Sequence, residues 1–526
     1  MKGASSASSG WWTSSIWWPA SSGTRSGTDV SDDSQRTVIA APSVAIDWGR
    51  WAALSGGLAL FLSVYFAATP APALDPTGKA FPLSPEGQAA LALFLLAATW
   101  WVFAPVPIGV TAIAIGVFQA LFQIRTAKAA FSDFMDPAVW FIFGSMVIGA
   151  AFTKTGLTRR LAYKMLTLIG ERTATIYLGC FVVTALLTHI MAHTAVAATL
   201  YPVLLAIYSL YDASSRPTRF GKGLFIGMAF AAGAGSIVTL LGSARGIVGV
   251  TFFRDIVGER VGFFEIPWYL GPVGWLMVIV IWWLMLAMFR PERSTVPGLT
   301  ETSRRLYAEL GGVTRRELLA AAIVLGTLLV LALQVFVPAL EPLSRPAILL
   351  VATLLFFIFG VLDLGDLEEI PWNIILLFGG AMSIGFCLWE TGAAEWLAVK
   401  WLSPFQGGHW FMFLMALAVF VLVVTNIIMN VAAIAISLPV SLVIAGYLGV
   451  APEVVLYVAL ATAGMPFLFL VGAAPNAIAY QSGQFTAMEF LKAGIPASAL
   501  LLAVLALAIL GLWPLLGMPT LKGIGS

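Results

Sequence analysis

MAHTAVAATLYP, residues 191–202, and TNIIMNVAAIAISLP, residues 425–439, decide how this chain is read. Each follows an apolar run, passes through a short polar knot, turns apolar again and ends on a proline, Pro202 or Pro439. Irregular backbone at membrane depth is tolerated only where protein or a water-filled cavity satisfies its polar groups. Two such interruptions at matching places therefore predict two re-entrant hairpins that meet near the bilayer midplane, with the polar knots beside a cargo site.

The rest of the chain agrees with a membrane setting. Sixty per cent of residues are hydrophobic, 10% are charged, and the mean hydropathy is +0.94, which excludes an ordinary water-soluble globule. Apolar runs long enough to span a bilayer recur after residue 50. Counting them predicts an all-α polytopic membrane protein with eleven transmembrane helices and two re-entrant hairpins. The expected spans lie near 51–69, 86–104, 106–124, 137–153, 222–250, 265–289, 317–338, 345–363, 371–390, 453–482 and 489–515, with hairpins near 174–210 and 409–447.

Residues 1–45 are rich in Ser, Thr, Gly and Ala and carry the tryptophan pairs Trp11-Trp12 and Trp17-Trp18, the pattern of a disordered tail that touches the membrane surface. Residues 46–289 form a first half, 290–316 an arginine-rich cytoplasmic linker, 317–515 a second half and 516–526 a short tail. Basic residues near span ends are retained in the cytoplasm. Placing the amino terminus inside puts Lys154, Arg159, Arg160, Lys164, Arg172, Arg216, Arg219, Lys222 and the linker there. The carboxyl terminus then lies outside, the first hairpin enters from inside and the second from outside. The acidic loop Asp363, Asp366, Glu368 and Glu369 falls on the cytoplasmic side, where acids weigh little in this rule.

The halves match beyond the hairpins. DPAVWFIFGSMVIGAAFTKTGLTRRLA, from Asp136, parallels EIPWNIILLFGGAMSIGFCLWETGAAEWLA, from Glu369, and GSARG at Gly242–Gly246 parallels GAAPN at Gly472–Asn476. With the hairpins on opposite sides, this is an inverted repeat, an arrangement that lets one site face either side of a membrane.

The order of these elements over about residues 50–515 resembles the divalent anion:sodium symporter family, carriers of dicarboxylates, citrate and sulfate; IPWNIILLFGGAMSIG, TNIIMN...LP and PNAIAYQSG...LKAG carry the resemblance best. It implies elevator-type scaffold and transport domains, a homodimer, and secondary transport of a small anionic substrate across the inner (plasma) membrane. It also implies a Ser-Asn-Thr motif at each hairpin tip and an unwound Gly-Thr-Pro-Pro-Asn-like stretch in each following helix. Here the tips read Ala192-His193-Thr194 and Met429-Asn430-Val431, and the stretches read Gly242-Ser243-Ala244-Arg245-Gly246 and Gly472-Ala473-Ala474-Pro475-Asn476.

The candidate substrate-binding residues are accordingly His193, Thr194, Ser243, Arg245, Asn430, Val431 and Asn476. Ala192, Gly242, Gly246, Met429, Asn430, Gly472, Ala473 and Asn476 would surround a sodium ion, the one ion the resemblance implies; no other cofactor is expected. With hydroxyl and amide ligands thinned, the sequence predicts sodium coupling that is reduced, lost or replaced by Arg245 and His193. A guanidinium at membrane depth is costly unless paired or hydrated, so Arg245 either binds the anion bidentately or occupies the place of a cation. The alternative for it is a surface position near Asp255 or Glu259.

His189 lies four residues before His193, so the two rings would share a face of a continuous helix. No third ligand lies near enough in sequence to suggest a metal. Met429 and Val431 make one side of the site apolar, which favours a carboxylate or sulfonate with one anionic end.

Gly233, Gly235, Gly379 and Gly380 predict close helix packing. Lys154 and Glu390, beside the Thr155-Gly156 and Thr391-Gly392 turns, are expected to be solvated caps. Cys180 and Cys387 sit in apolar segments and suggest neither a disulfide nor zinc. No nucleotide-binding loop is present and no nucleic-acid partner is expected. Two other functions compete: a cation/proton antiporter or oxyanion extruder of the same superfamily, which would need acids at the unwound stretches, and a membrane-embedded enzyme, which would need a carboxylate near His189 and His193. The sequence supplies neither, and no enzyme activity is expected.

Overall fold

A computed structural model describes residues 48–74, 80–212, 216–334, 337–340, 342–402 and 409–521. The serine- and tryptophan-rich segment expected to be a disordered tail lies outside these residues, as does the end of the carboxyl-terminal tail. Among the described residues nine helical stretches are long and apolar enough to cross a membrane, and four shorter apolar helices accompany them: Ile108–Leu121, Thr173–Thr188, Arg345–Ile358 and Pro452–Ala463. The protein is a multi-pass, mostly helical membrane protein.

Local chemistry sets where helices start. Ser84 and Asp136 each accept a hydrogen bond from the first turn of a helix that opens on a proline, Pro85 or Pro137. Proline suits that position because its missing N–H is one the helix cannot use. Thr314 with Glu317 and Thr486 with Glu489 form capping boxes at the heads of Arg315–Leu333 and Ala487–Leu507.

Four segments break inside otherwise apolar runs. The first hairpin consists of Thr173–Thr188 and His193–Tyr211, joined by His189–Ala192; the second consists of Trp410–Ile427 and Asn430–Leu448, joined by Ile428 and Met429. The span expected at 222–250 is two helices, Arg219–Ser236 and Ala244–Val257. The one expected at 453–482 is Pro452–Ala463 and Ala474–Tyr480. A membrane helix that stops midway leaves carbonyls and N–H groups for tertiary partners, and these breaks are where such partners converge.

The packing is reciprocal. Each hairpin's first arm lies on the helix before the break of its own half: Thr173–Thr188 on Arg219–Ser236, and Trp410–Ile427 on Pro452–Ala463. Each second arm lies on the helix after the break of the other half: His193–Tyr211 on Ala474–Tyr480, and Asn430–Leu448 on Ala244–Val257. The breaks are thereby drawn together from both halves.

A second group of helices is exchanged in the same way. Trp372–Glu390 packs on Ile108–Leu121, with Asn373 Oδ1 accepting from Gly109 N at 2.8 Å. A Cβ on Gly380 would stand 2.5 Å from Ala112 Cβ, so the approach depends on the glycine. Arg345–Ile358 packs on Pro137–Thr155 of the other half.

Each pair closes on a charged tie at its end: Lys154 and Glu390 are exposed helix-end residues, as expected, and each also has a partner from another segment. Lys154 binds Asp363 at 2.7 Å and also Asp366, so the acidic loop has its cation supplied by a neighbouring helix. Glu390 is paired with Arg125, Nε to Oε2 at 2.8 Å and Nη2 to Oε1 at 2.9 Å, and Arg125 also holds Asp133 at 2.6 Å. Gln119 extends this buried network from Arg125 Nη1, at 3.2 Å, to Ser383 Oγ, at 2.8 Å.

The linker is not free chain. It contains a helix, Leu299–Glu309, packed on the amphipathic helix Leu157–Ile169.

Candidate functional site

Tip and break fit each other backbone to backbone in both halves. A Cβ on Gly242 would lie 1.8 Å from the carbonyl oxygen of Thr188, at the end of the first hairpin's first arm. The corresponding contact in the second half brings a Cβ on Gly472 to 3.3 Å from Thr425 O, with Pro466 Cβ nearer at 2.8 Å. Glycine is what allows this approach. The paired positions Thr188 and Thr425 begin THIMAHTAVAATLYP and TNIIMNVAAIAISLP, which align residue for residue to their prolines.

What cements each contact differs. In the second half Asn426 is fully buried, and its Oδ1 accepts from Leu468 N at 2.7 Å and Phe469 N at 3.3 Å while its amide donates to Leu422 O at 2.7 Å. Asn476 donates to Pro466 O at 2.9 Å and Phe469 O at 3.1 Å, so its donors hold the break in shape. In the first half His189 stands in the place of Asn426. Its backbone carbonyl accepts from Thr239 Oγ1 at 2.6 Å, and its ring lies edge-on to Trp275 with centroids 5.5 Å apart.

His189 ends one helical segment and His193 begins the next, so the two rings do not share a continuous helical face as their spacing suggested. Asn426 was not singled out in the sequence, although the Thr-Asn start of the second polar knot was its signal.

Arg245 lies in the first turn after the first break. It is 2% exposed, its Nη2 donates to Ser236 Oγ at 3.0 Å, and its Nε points to Leu460 O at 3.5 Å. A Cβ on Gly464 would meet its Nη2 at 2.4 Å. Ser236 ends the helix Arg219–Ser236, and Leu460 and Gly464 lie at the end of Pro452–Ala463. The guanidinium thus rests against two helix carboxyl ends, one from each half, where helix dipoles and unsatisfied carbonyls favour positive charge.

The surface alternative for Arg245 fails on burial. Asp255 is held by Arg254 at 2.6 Å, and among the described residues no carboxylate lies within ion-pair distance of Arg245.

The other candidates lie at the tips and breaks. His193, half-buried at the head of the first hairpin's second arm, is close enough to feel the charge of Arg245. Thr194 follows it on the first turn, also half-buried. Ser243 is buried and caps its own helix, accepting from Gly246 N at 3.1 Å. At the second tip, Thr425 Oγ1 donates to Ala463 O at 2.9 Å and contacts Asn430 Oδ1 at 3.3 Å, so one hydroxyl links Asn430 to the end of Pro452–Ala463. Val431 is buried beside it. Ala192, Gly242 and Gly246 lie at the first tip and break, and Met429, Gly472 and Ala473 lie at the second.

Two hairpins and two broken helices meeting around a buried charge define a membrane transporter fold. Among solved structures, the fold is similar to that of the YdaH transporter of Alcanivorax borkumensis, with a TM-score of 0.53 and 14% identity over 90% of this chain and 98% of that one. It is also similar to that of MtrF of Neisseria gonorrhoeae, whose structure is described as illuminating a class of antimetabolite efflux pumps, with a TM-score of 0.51 and 12% identity over 88% and 92% of the two chains.

The family described as "Sodium:sulfate symporter transmembrane region" matches residues 50–519, and the chain belongs to that family. Its relatives include the sodium-dependent dicarboxylate transporter SdcS of Staphylococcus saprophyticus, 23% identical over 455 residues, covering 82% of this chain and 87% of that protein. SdcS of Staphylococcus aureus is 26% identical over 432 residues, covering 78% and 82%. These relatives are transporters, not enzymes, and the family assignment makes this chain a secondary anion transporter.

Proposed function

We propose that the chain carries small organic or inorganic anions of the carboxylate or sulfonate class, with Arg245 serving as a built-in cation where relatives named for sodium dependence use an ion. The observation that carries this reading is the guanidinium seated against two helix ends without a carboxylate partner. Two helix carboxyl ends together present roughly one negative charge, which a single guanidinium balances. The cargo's anionic end then meets the guanidinium itself, with Thr194, His193 and Ser243 on one side and Asn430 on the other. Val431 and Met429 favour an anion with one less polar end.

In this reading the two hairpins and the two broken helices form the transport domain, and the exchanged pairs Ile108–Leu121 with Trp372–Glu390 and Pro137–Thr155 with Arg345–Ile358 belong to the scaffold. The reciprocal packing and the matched contacts of Gly242 and Gly472 support an inverted repeat, moved as an elevator. The protein works as a homodimer in the inner (plasma) membrane, with its amino terminus cytoplasmic and its carboxyl terminus outside. Antiport through a titrating acid has less support: residues 237–243 and 464–473 contain no Asp or Glu.

Uptake of radiolabelled dicarboxylates, monocarboxylates and sulfonates into proteoliposomes, with sodium and proton gradients imposed separately, tests the proposal. Anion-for-anion exchange that persists without sodium is expected. Uptake that requires a sodium gradient removes the built-in-cation reading and leaves an ordinary symporter.

A further inference from the structure

The linker between the halves is anchored at both ends, and what it joins suggests a role. At its start Glu292 binds three separate groups. Its Oε1 accepts from Arg219 N at 2.6 Å, and its Oε2 accepts from Tyr211 Oη at 3.0 Å and Phe220 N at 3.3 Å. A carboxylate on the first N–H groups of Arg219–Ser236 is also where the helix dipole favours it. Arg293 adds a bond from its backbone N to Tyr211 Oη, at 2.8 Å, and one from Nη1 to Tyr211 O, at 3.0 Å.

The next residues pair with the beginning of the first hairpin. Ser294 O accepts from Thr173 N at 3.0 Å, Val296 N donates to Glu171 O at 2.8 Å, and Glu171 Oε1 accepts from Gly298 N at 3.0 Å. One short stretch of linker therefore holds the start of the hairpin's first arm, the end of its second arm and the head of the broken helix that leads to Arg245.

The far end is held by Arg160, on the amphipathic helix. Its guanidinium is buried and saturated: Nε donates to Glu317 Oε1 at 2.8 Å, Nη1 to Gly311 O at 2.9 Å, and Nη2 to Gly312 O at 3.0 Å and Glu317 Oε2 at 3.1 Å. Between the anchors runs the helix Leu299–Glu309, bounded by Gly298 at φ +79° and Gly311 at φ +66°. These are the natural pivots, yet both are tied, Gly298 through its N–H to Glu171 and Gly311 through its carbonyl to Arg160.

We propose that the linker is a strap that brakes the first hairpin: residues 170–172 already join the hairpin base to the helix Leu157–Ile169, and the strap, as a second connection, fixes the angle between them, so the hairpin turns away from this position only when one anchorage breaks. The inference rests on the carrier reading above. Breaking one hydrogen bond to a charged group slows such a step by about tenfold or somewhat more, so freeing the strap should raise the maximal uptake rate by about that factor and leave KM within about twofold.

The test uses the full chain in proteoliposomes with a site for a sequence-specific protease inserted after Glu309. Uptake is measured on the same vesicles before and after cleavage. A rise in maximal rate with KM preserved supports the strap; identical rates before and after cleavage overturn it while the carrier reading stands. Should the insertion itself abolish uptake, Arg160→Ala decides the same question, with Arg160→Lys restoring only part of the braking because an ammonium cannot reproduce the fork of bonds. Wild-type vesicles that take up no anion remove the carrier reading and the strap with it.

Discussion

Replacing Arg245 by methionine separates a built-in cation from a structural arginine. The native guanidinium has one good hydrogen bond, to Ser236 Oγ at 3.0 Å, and one at the limit of bonding, to Leu460 O at 3.5 Å. A hydrogen bond from a charged donor contributes about 1.5–3 kcal/mol, and a helix carboxyl end adds about 0.3–2 kcal/mol for a cation beside it. Desolvating the ion costs several kcal/mol. These terms nearly cancel, so Arg245→Met should unfold within a few degrees of the native chain in a detergent thermal ramp.

Function should not follow stability. The bound anion loses a charged partner worth about 3 kcal/mol, which is about a hundredfold in affinity or rate, and uptake should fall by at least that factor. Arg245→Ala, which vacates the seat between Ser236 and Gly464, should gain a sodium-dependent rise in its unfolding midpoint that choline does not reproduce. The native chain should show none. Undiminished uptake by Arg245→Met, or an alanine variant indifferent to sodium, would refute the reasoning.

Gly242→Ala should be far more damaging than Gly472→Ala, because the new Cβ meets a backbone oxygen at 1.8 Å in the first case and a side-chain Cβ at 2.8 Å in the second; yield of monodisperse protein and its unfolding midpoint measure the difference. Arg125→Ala leaves Asp133 buried without its cation, and breaking a buried pair this way costs about 3–5 kcal/mol; adding Asp133→Asn should recover part of the loss in the same thermal ramp. Glu292 gives a pH signature. Burial pushes its pKa up, but the hydrogen bonds from Arg219, Tyr211 and Phe220 outweigh burial and hold its carboxyl below the ordinary range. A depressed folded pKa means that Glu292 stabilises fully above the unfolded value of about 4.3 and loses that contribution as pH falls through the lower folded value. The native midpoint should therefore drop more steeply than that of Glu292→Gln across this acidic window, and equal slopes would contradict it.

Much of the architecture was legible in the order of residues. The runs around the two polar knots located both hairpins to within a few residues, and the glycine-rich stretches at 242 and 472 marked both breaks. The reason is that a bilayer requires every backbone group to be satisfied within a helix, so an interruption must be written into the chain in glycine, proline and polar residues. Small residues at Gly233, Gly235, Gly379 and Gly380 were read as packing surfaces, and all four face another segment closely.

The sequence failed where partners lie far along the chain. Lys154 and Glu390 are helix-end charges facing water, as read, but nothing near them in sequence announces their partners Asp363, Asp366 and Arg125. The linker looks like spacer because its anchors, Glu171, Tyr211 and Arg160, belong to other elements. His189 and His193 were spaced for one helical face, but the helix ends between them, and spacing carries meaning only while the helix continues.

Composition and periodicity alone established a multi-pass helical chain with two interrupted pairs, since the cost of exposing backbone to lipid acts residue by residue and leaves its trace locally. Which interruptions touch, and that Arg245 bridges the ends of helices from both halves rather than pairing with nearby Asp255, was settled only by packing. A charge at a break can be placed by sequence, but its neighbours are chosen by how segments hundreds of residues apart are brought together.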